Sequence, residues 1–243
     1  MNGFTYNGIN SIDMGLKIIS KNVFSSPAYD MTFQAIPGRN GDLILPNGRY
    51  PNIQITYSVF LPAKSKVELS TKINNIKGWL YGGMVEYHIL TDTYDTQYFR
   101  YGVFNSGLDI EDELNKIGVF TVSFSCKPFK YTNAGQQTLN IAFSNTSVTN
   151  PTAFDSLPYM KIYGSGTGNL TLTNSSGSSS WYFLSISSYI EADSELMNFY
   201  KGSSPLNSSV SGTGFPMLTP GVNTFTFSGN ITKIELIPRW RSL

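Results

Sequence analysis

His88 and Glu86 stand two positions apart in MVEYHILTD, a spacing that on a strand puts an imidazole and a carboxylate on one face, as general-base chemistry needs. No nucleophile motif such as G-x-S-x-G accompanies them, so a solvated or hydrogen-bonded strand histidine is the favoured reading. Glu111, Asp112 and Glu113 form the only acidic cluster, between Gly107 and Gly118. Paired carboxylates hydrolyse glycosides when they face one substrate from about 5 to 9 Å apart. Three adjacent acids in a polar turn read instead as a solvated face, with partner binding as its functional use. The stretch IPGRNGD tempts a phosphate-loop reading, but it lacks both glycine-rich phosphate motifs and opens no helix whose amino end could cradle an anion. Arg39 within it is read as a surface or intersubunit ion-pair partner for which Asp42 competes. Trp181, Tyr182, Tyr189 and Tyr200 fit two uses, a stacking platform for sugars or the filling of a small core.

Cys126 and His88 are the only cysteine and histidine, which excludes an internal disulfide and a Cys/His zinc cage within one chain. Cys126 alternates with Phe124 on an inward-facing strand position, where a buried, inert thiol is expected. No catalytic residue, cofactor-binding residue or metal ligand is assigned, and the chain is expected not to be an enzyme.

The elements that carry these residues follow from composition and period. Sixteen Phe, 15 Tyr and 22 Gly against 14% charged residues, in 243 residues, suit strands alternating with tight turns. A formal net charge of +1 and no basic run leave no electrostatic footprint for nucleic acid. The start MNGFTYNGINS has neither the basic flank nor the apolar core of a signal peptide, and no apolar run approaches a membrane span, so synthesis and folding in a cytoplasm are expected.

Ile53, Ile55, Tyr57, Val59 and Leu61 alternate with Asn52, Gln54, Thr56, Ser58 and Phe60 and predict a strand with one buried face. Ser65-Lys-Val-Glu68 has capping-box form, and Leu69, Ile73, Ile76, Trp79 and Leu80 predict a helix that Gly82 and Gly83 stop. Strands are predicted in MVEYHILTD, TQYFRYGVF and GVFTVSFSCKPF, the last closed by Pro128. A domain boundary is placed near Lys130. It separates a helix-bearing β domain over 1–130 from a β-sandwich over 131–243, whose short runs MKIYG, NLTLTN, SWYFLSIS, SYIEAD, NTFTFSG and ITKIELIPRW are spaced by Gly/Ser/Asn turns. The tract from Asn174 to Ser180 is read as a flexible hairpin tip. In FQAIPGRNGDLILPNGRY, Asn47-Gly48 is read as a two-residue hairpin turn, with Gly38 and Gly41 supplying backbone angles closed to other residues.

The stretches FTYNGINSIDMGLKI, IPGRNGDLILPNGRY, GWLYGG, LPYMKIYGSGTGNLTLTN and FPMLTPGVNTFTFSGNITKIELIPRWRSL, in that order, resemble the distal tail proteins, the baseplate hubs of long-tailed, non-contractile phages. The resemblance implies an amino-terminal β domain with one helix and an extended hairpin arm, closing into a hexameric ring, and a galectin-like, carbohydrate-module-like sandwich pointing outward. It further implies a virion location at the distal end of the tail after synthesis in the host cytoplasm. The implied partners are the tail-tube protein, the tail-associated lysin or tail-fibre protein, and often receptor-binding proteins at the rim, with DNA free to pass through the ring. The alternative kept open is a carbohydrate-binding module for host cell-wall saccharide.

Overall fold

The structure is a computed structural model that describes residues 2–113 and 117–243. It is mostly β, 54% strand and 9% helix, and divides into two compact units, Met1–Lys130 and Tyr131–Ser242. Each has its own hydrophobic core.

The first unit contains β1 (Phe4–Tyr6), β2 (Ile9–Asn10), β3 (Lys17–Lys21), β4 (Met31–Gln34), β5 (Leu43–Pro46), β6 (Ile53–Pro62), α1 (Lys66–Tyr81), β7 (His88–Asp92), β8 (Tyr98–Phe104), β9 (Glu111–Glu113) and β10 (Ile117–Thr132). Seven strands lie in the order β2-β1-β7-β8-β10-β6-β3, with β9 also on β10. The β6–β10 pair runs antiparallel from Ile53 opposite Cys126 to Pro62 opposite Ile117. Its buried face is the predicted one, Ile53, Ile55, Tyr57, Val59 and Leu61 against Phe120, Val122, Phe124 and Cys126.

Helix α1 covers that face because its sequence is capped and striped for it. Ser65 Oγ accepts from Glu68 N at 3.2 Å, and Glu68 Oε2 accepts from Lys64 N at 2.8 Å, satisfying amides that the helix start leaves free. Leu69, Ile76, Trp79 and Leu80 are buried. Trp79 donates Nε1 to Tyr6 O at 3.1 Å, and Phe4 stacks on Tyr57 with centroids 4.3 Å apart. These rings join β1, β6 and α1 into one core.

Two boundaries differ from the sequence reading. The strand predicted over MVEYHILTD begins only at His88, and Met84 to Tyr87 are exposed outside it. Pro128 does not end β10, because its fixed backbone angle suits extended chain and its carbonyl accepts from Arg100 Nη1 at 3.5 Å.

The second unit contains β11 (Leu139–Ile141), β12 (Thr146–Asn150), β13 (Tyr159–Asn174), β14 (Gly177–Asp193), β15 (Asn198–Lys201), β16 (Ser204–Pro205), β17 (Val210–Gly212), β18 (Gly221–Ile237) and β19 (Arg241–Ser242). The six short runs predicted here are halves of three long strands. MKIYG and NLTLTN are β13, SWYFLSIS and SYIEAD are β14, and NTFTFSG and ITKIELI are β18. On β13 and β18 the glycines between the halves mark bends, not chain reversals, and on β14, which has no glycine there, Ser188 stands at φ +68°. The register slips between Gly164 and Gly168 on β13, and β18 slips opposite Tyr163 to Gly168 around Gly229. A Cβ on Gly164 would sit 2.4 Å from Asn230 O, so only glycine allows that crossing.

Each bent strand contributes to two layers. One half-sheet carries β11, β15 and β16, the other β12 and β17. Met160, Ile162, Ile190 and Leu236 from the first half and Leu170, Leu172, Trp181, Phe183 and Phe225 from the second share one buried cluster. The result is a β-sandwich.

Candidate assembly surface

The sequence-predicted residues are scattered, and each is accounted for locally. His88 is half-buried with its ring edge-on to Tyr6 at 5.5 Å, while Glu86 is exposed and precedes the strand, so the two do not share a strand face. Cys126 is fully buried, and burial pushes its thiol up to about 12. Glu111 is exposed in a strand paired to β10, Glu111 opposite Val119, so the acidic run is not a free turn. The side chains of Asp112 and Glu113 lie outside the described residues. Arg39 and Asp42 are both exposed.

Trp181 is 1% exposed and donates Nε1 to Gly214 O at 2.9 Å. It fills the sandwich core, so it cannot serve as a surface platform. Tyr182 is exposed, whereas Tyr189 and Tyr200 are half-buried. Tyr189 belongs to a set the sequence did not single out: its ring lies 6.1 Å from Tyr163, with Lys161 Nζ at 3.9 Å and Lys201 Nζ at 4.9 Å. Glu235 accepts from Tyr163 Oη at 2.8 Å and from Lys233 Nζ at 2.7 Å, which balances part of that positive charge.

Among the described residues, no three His, Cys, Asp or Glu side chains gather as a metal site. Surface depressions of about 420 Å³ beside α1 and about 730 Å³ at the bend of the sandwich are lined without a carboxylate, histidine or thiol. Neither offers an acid–base pair.

What the first unit does display is an arm. β4 and β5 pair with each other alone, Phe33 opposite Ile44 and Thr32 opposite Leu45, as a two-stranded sheet. Strand alternation puts Met31, Phe33, Ile44 and Pro46 on one face and Leu43 and Leu45 on the other. Phe33 is 60% and Ile44 55% exposed, and Ile36, Leu43 and Leu45 are exposed as well. Both faces therefore open apolar side chains to solvent, the second beside Thr32 and Gln34. A two-stranded ribbon of this kind is marginal in water, and exposed apolar surface is a general feature of contact sites.

The turns of the arm follow from its sequence, though not all as expected. Pro37-Gly38 forms the tip turn, with Arg39 N donating to Ile36 O at 3.1 Å and Gly38 at φ +78°, an angle that favours glycine. Asn47-Gly48 is not the hairpin turn. It lies at the base, where Asp30 clips the chain: Asn47 Nδ2 donates to Asp30 Oδ1 at 2.7 Å and Arg49 Nε to Oδ2 at 2.6 Å. The backbone joins in, Asn47 N to Asp30 O at 2.9 Å and Asp30 N to Arg49 O at 3.1 Å. Asn47 first, and Arg49 with it, holds the Asp30 carboxyl below its ordinary value, so the clip is ionised at neutral pH. Tyr50 then packs edge-on to Tyr29 at 4.8 Å and Phe129 at 5.8 Å, anchoring the base to β10. Asp30 carried no local signal; its partners are strand-paired neighbours 17 and 19 positions away.

No protein-family model and no curated protein matches the sequence. Among solved structures, SPP1 Dit (gp 19.1), described as a paradigm of the hub adsorption apparatus in phages infecting Gram-positive bacteria, superposes with a TM-score of 0.79 over 100% of both chains at 16% identity. The fold is that of SPP1 Dit. The phage p2 baseplate in its activated conformation gives a TM-score of 0.50 at 8% identity, with Ca and with Sr alike, covering 97% of this chain. At these identities the likeness to Dit is one of fold, and it extends through both units.

Proposed function

We propose that this chain is the structural hub of a phage tail tip. Copies close into a hexameric ring that joins the tail tube to the tail-associated lysin or fibre protein, and the sandwich offers a docking surface for receptor-binding proteins. The role is non-enzymatic and its place is the distal end of the virion tail. The observation that carries the reading is the full-length fold shared with a hub protein of a phage adsorption apparatus.

The arm supports the same reading physically. A closed ring needs a heterologous contact in which one patch meets a different patch on the next copy. An apolar ribbon held out by an ionic clip suits such a contact, since the clip fixes direction while the ribbon supplies area to bury. Mass measurement on the purified protein, with imaging, tests the proposal. Annular particles at a multiple of 26.9 kDa are expected. A protein that stays a 26.9 kDa monomer when mixed with its tail-tube and lysin partners contradicts it.

A further inference from the structure

We propose that Asn40, at the tip of the arm, is a site of spontaneous deamidation, and that the fold protects the other Asn–Gly pairs of the chain. The sequence contains Asn2-Gly3, Asn7-Gly8, Asn40-Gly41 and Asn47-Gly48. In such a pair the glycine backbone nitrogen attacks the asparagine side-chain carbon, ammonia leaves, and a five-membered imide forms. Water then opens either imide carbonyl to give aspartate or isoaspartate, so the chain exchanges an amide for a carboxylate with no oxidant or reductant. The step needs a backbone free to bring nitrogen and carbon together, and glycine offers the least steric resistance.

Three of the pairs are restrained by hydrogen bonds or by the pairing of flanking strands. Gly3 is buried and its nitrogen, the nucleophile for Asn2, donates to Thr93 Oγ1 at 3.1 Å. Asn7 and Gly8 form the two-residue turn between the paired β1 and β2, at φ +49° and +77°. Asn47 has its side-chain amide and its backbone nitrogen both bonded to Asp30. Asn40 has none of these restraints. It is exposed, it follows the Pro37-Gly38 turn outside any strand, and its side chain bonds to no described residue. The space around Gly41 is open, as it is at Gly8 and Gly48, so what sets Asn40 apart is the lack of strand pairing and of hydrogen bonds to described residues.

The product changes the arm where it matters. Arg39 and Asp42 now balance across the tip; a carboxylate at 40 leaves the loop net negative, and isoaspartate adds a methylene to the backbone. The consequence for assembly rests on the ring reading: an arm tip covered by a neighbouring copy is shielded, so unassembled protein ages and assembled protein does not.

The test is incubation of the purified wild-type chain in mildly alkaline buffer, with peptide mass mapping of the four pairs over time. Asn40 is expected to convert first, about tenfold faster than Asn47, the ratio that a barrier difference of about 1.4 kcal/mol produces. Asp30→Ala is expected to accelerate Asn47 while leaving Asn40 unchanged, and Gly41→Ala to slow Asn40 alone. Conversion at Asn2, Asn7 or Asn47 as fast as at Asn40 overturns the proposal. Repeating the measurement on assembled particles addresses the ring separately: if Asn40 reacts equally fast there, the deamidation site stands and the arm is not covered in the assembly.

Discussion

Two hairpins of this chain use the same antiparallel pairing and opposite side-chain patterns. β13–β14 buries Leu170, Leu172, Trp181 and Phe183 on one face. On its other face it pairs hydroxyls across the strands, Thr171 with Ser180 and Thr173 with Ser178, each at 2.8 Å. Its tip is tied down, Asn174 Nδ2 donating to Met217 O and Ser175 Oγ bonding Thr219 Oγ1. That hairpin is complete within its own unit. β4–β5 shows apolar residues on both faces, exposes them, and is held at its base by Asp30 alone among the described carboxylates. The difference is that the apolar residues of the arm are covered by no core in its own unit, which is the ground for proposing it as an assembly element.

Trp181→Ala is expected to cost the second unit about 3–5 kcal/mol by chemical denaturation, the usual loss for emptying a large aromatic site. An unchanged midpoint would break the claim that this hairpin is built from its core. Asp193→Ala is expected to cost about 2–3 kcal/mol, since Arg239 Nη1 and Nη2 bond its two oxygens at 2.8 and 2.9 Å and would lose both bonds, with Glu195 Oε2 at 3.8 Å only partly replacing them.

The same pair sets an acid limit. Burial raises the Asp193 carboxyl, but Arg239 and the amides of Leu196 and Glu195 outweigh it, so the folded-state value lies below the ordinary 3.8. A lowered carboxyl contributes stability that is present above 3.8 and lost as pH falls through the folded value. Melting of the second unit is expected to drop in that range, and to drop less in Asp193→Asn.

Smaller changes are expected in the arm. Phe33→Ser combined with Ile44→Ser should shift stability by no more than about 0.5 kcal/mol, as for surface sites, while abolishing assembly. A large stability loss with assembly intact would mean that the arm belongs to its own core. Asp30→Ala should leave the melting transition in place and speed tryptic cleavage at Arg39. Smallest of all, Cys126 should resist thiol reagents at mildly alkaline pH until the chain unfolds, since burial holds its thiol near 12.

The sequence disclosed elements whose signals are local. β6 and α1 were legible because period-2 alternation and a capping box are written into consecutive residues. The sandwich was legible as a class, but its three long strands were not, because Gly164, Gly166 and Gly229 serve a bend as well as a turn and the letter does not distinguish them. The arm was legible as a turn-rich hairpin, whereas its clip was not. Asp30, Asn47 and Arg49 come together only after β4 and β5 pair. The orientation of Trp181 depended on the partners of its strand, which lie on β13 and β17 and not beside it in sequence.

Native mass measurement of wild type beside the Phe33→Ser/Ile44→Ser variant, each with the tail-tube and lysin partners, tests most directly whether the arm is an assembly element. The account predicts ring-sized particles for the wild type and a folded 26.9 kDa chain for the variant. Rings of equal size and yield from both proteins would contradict it.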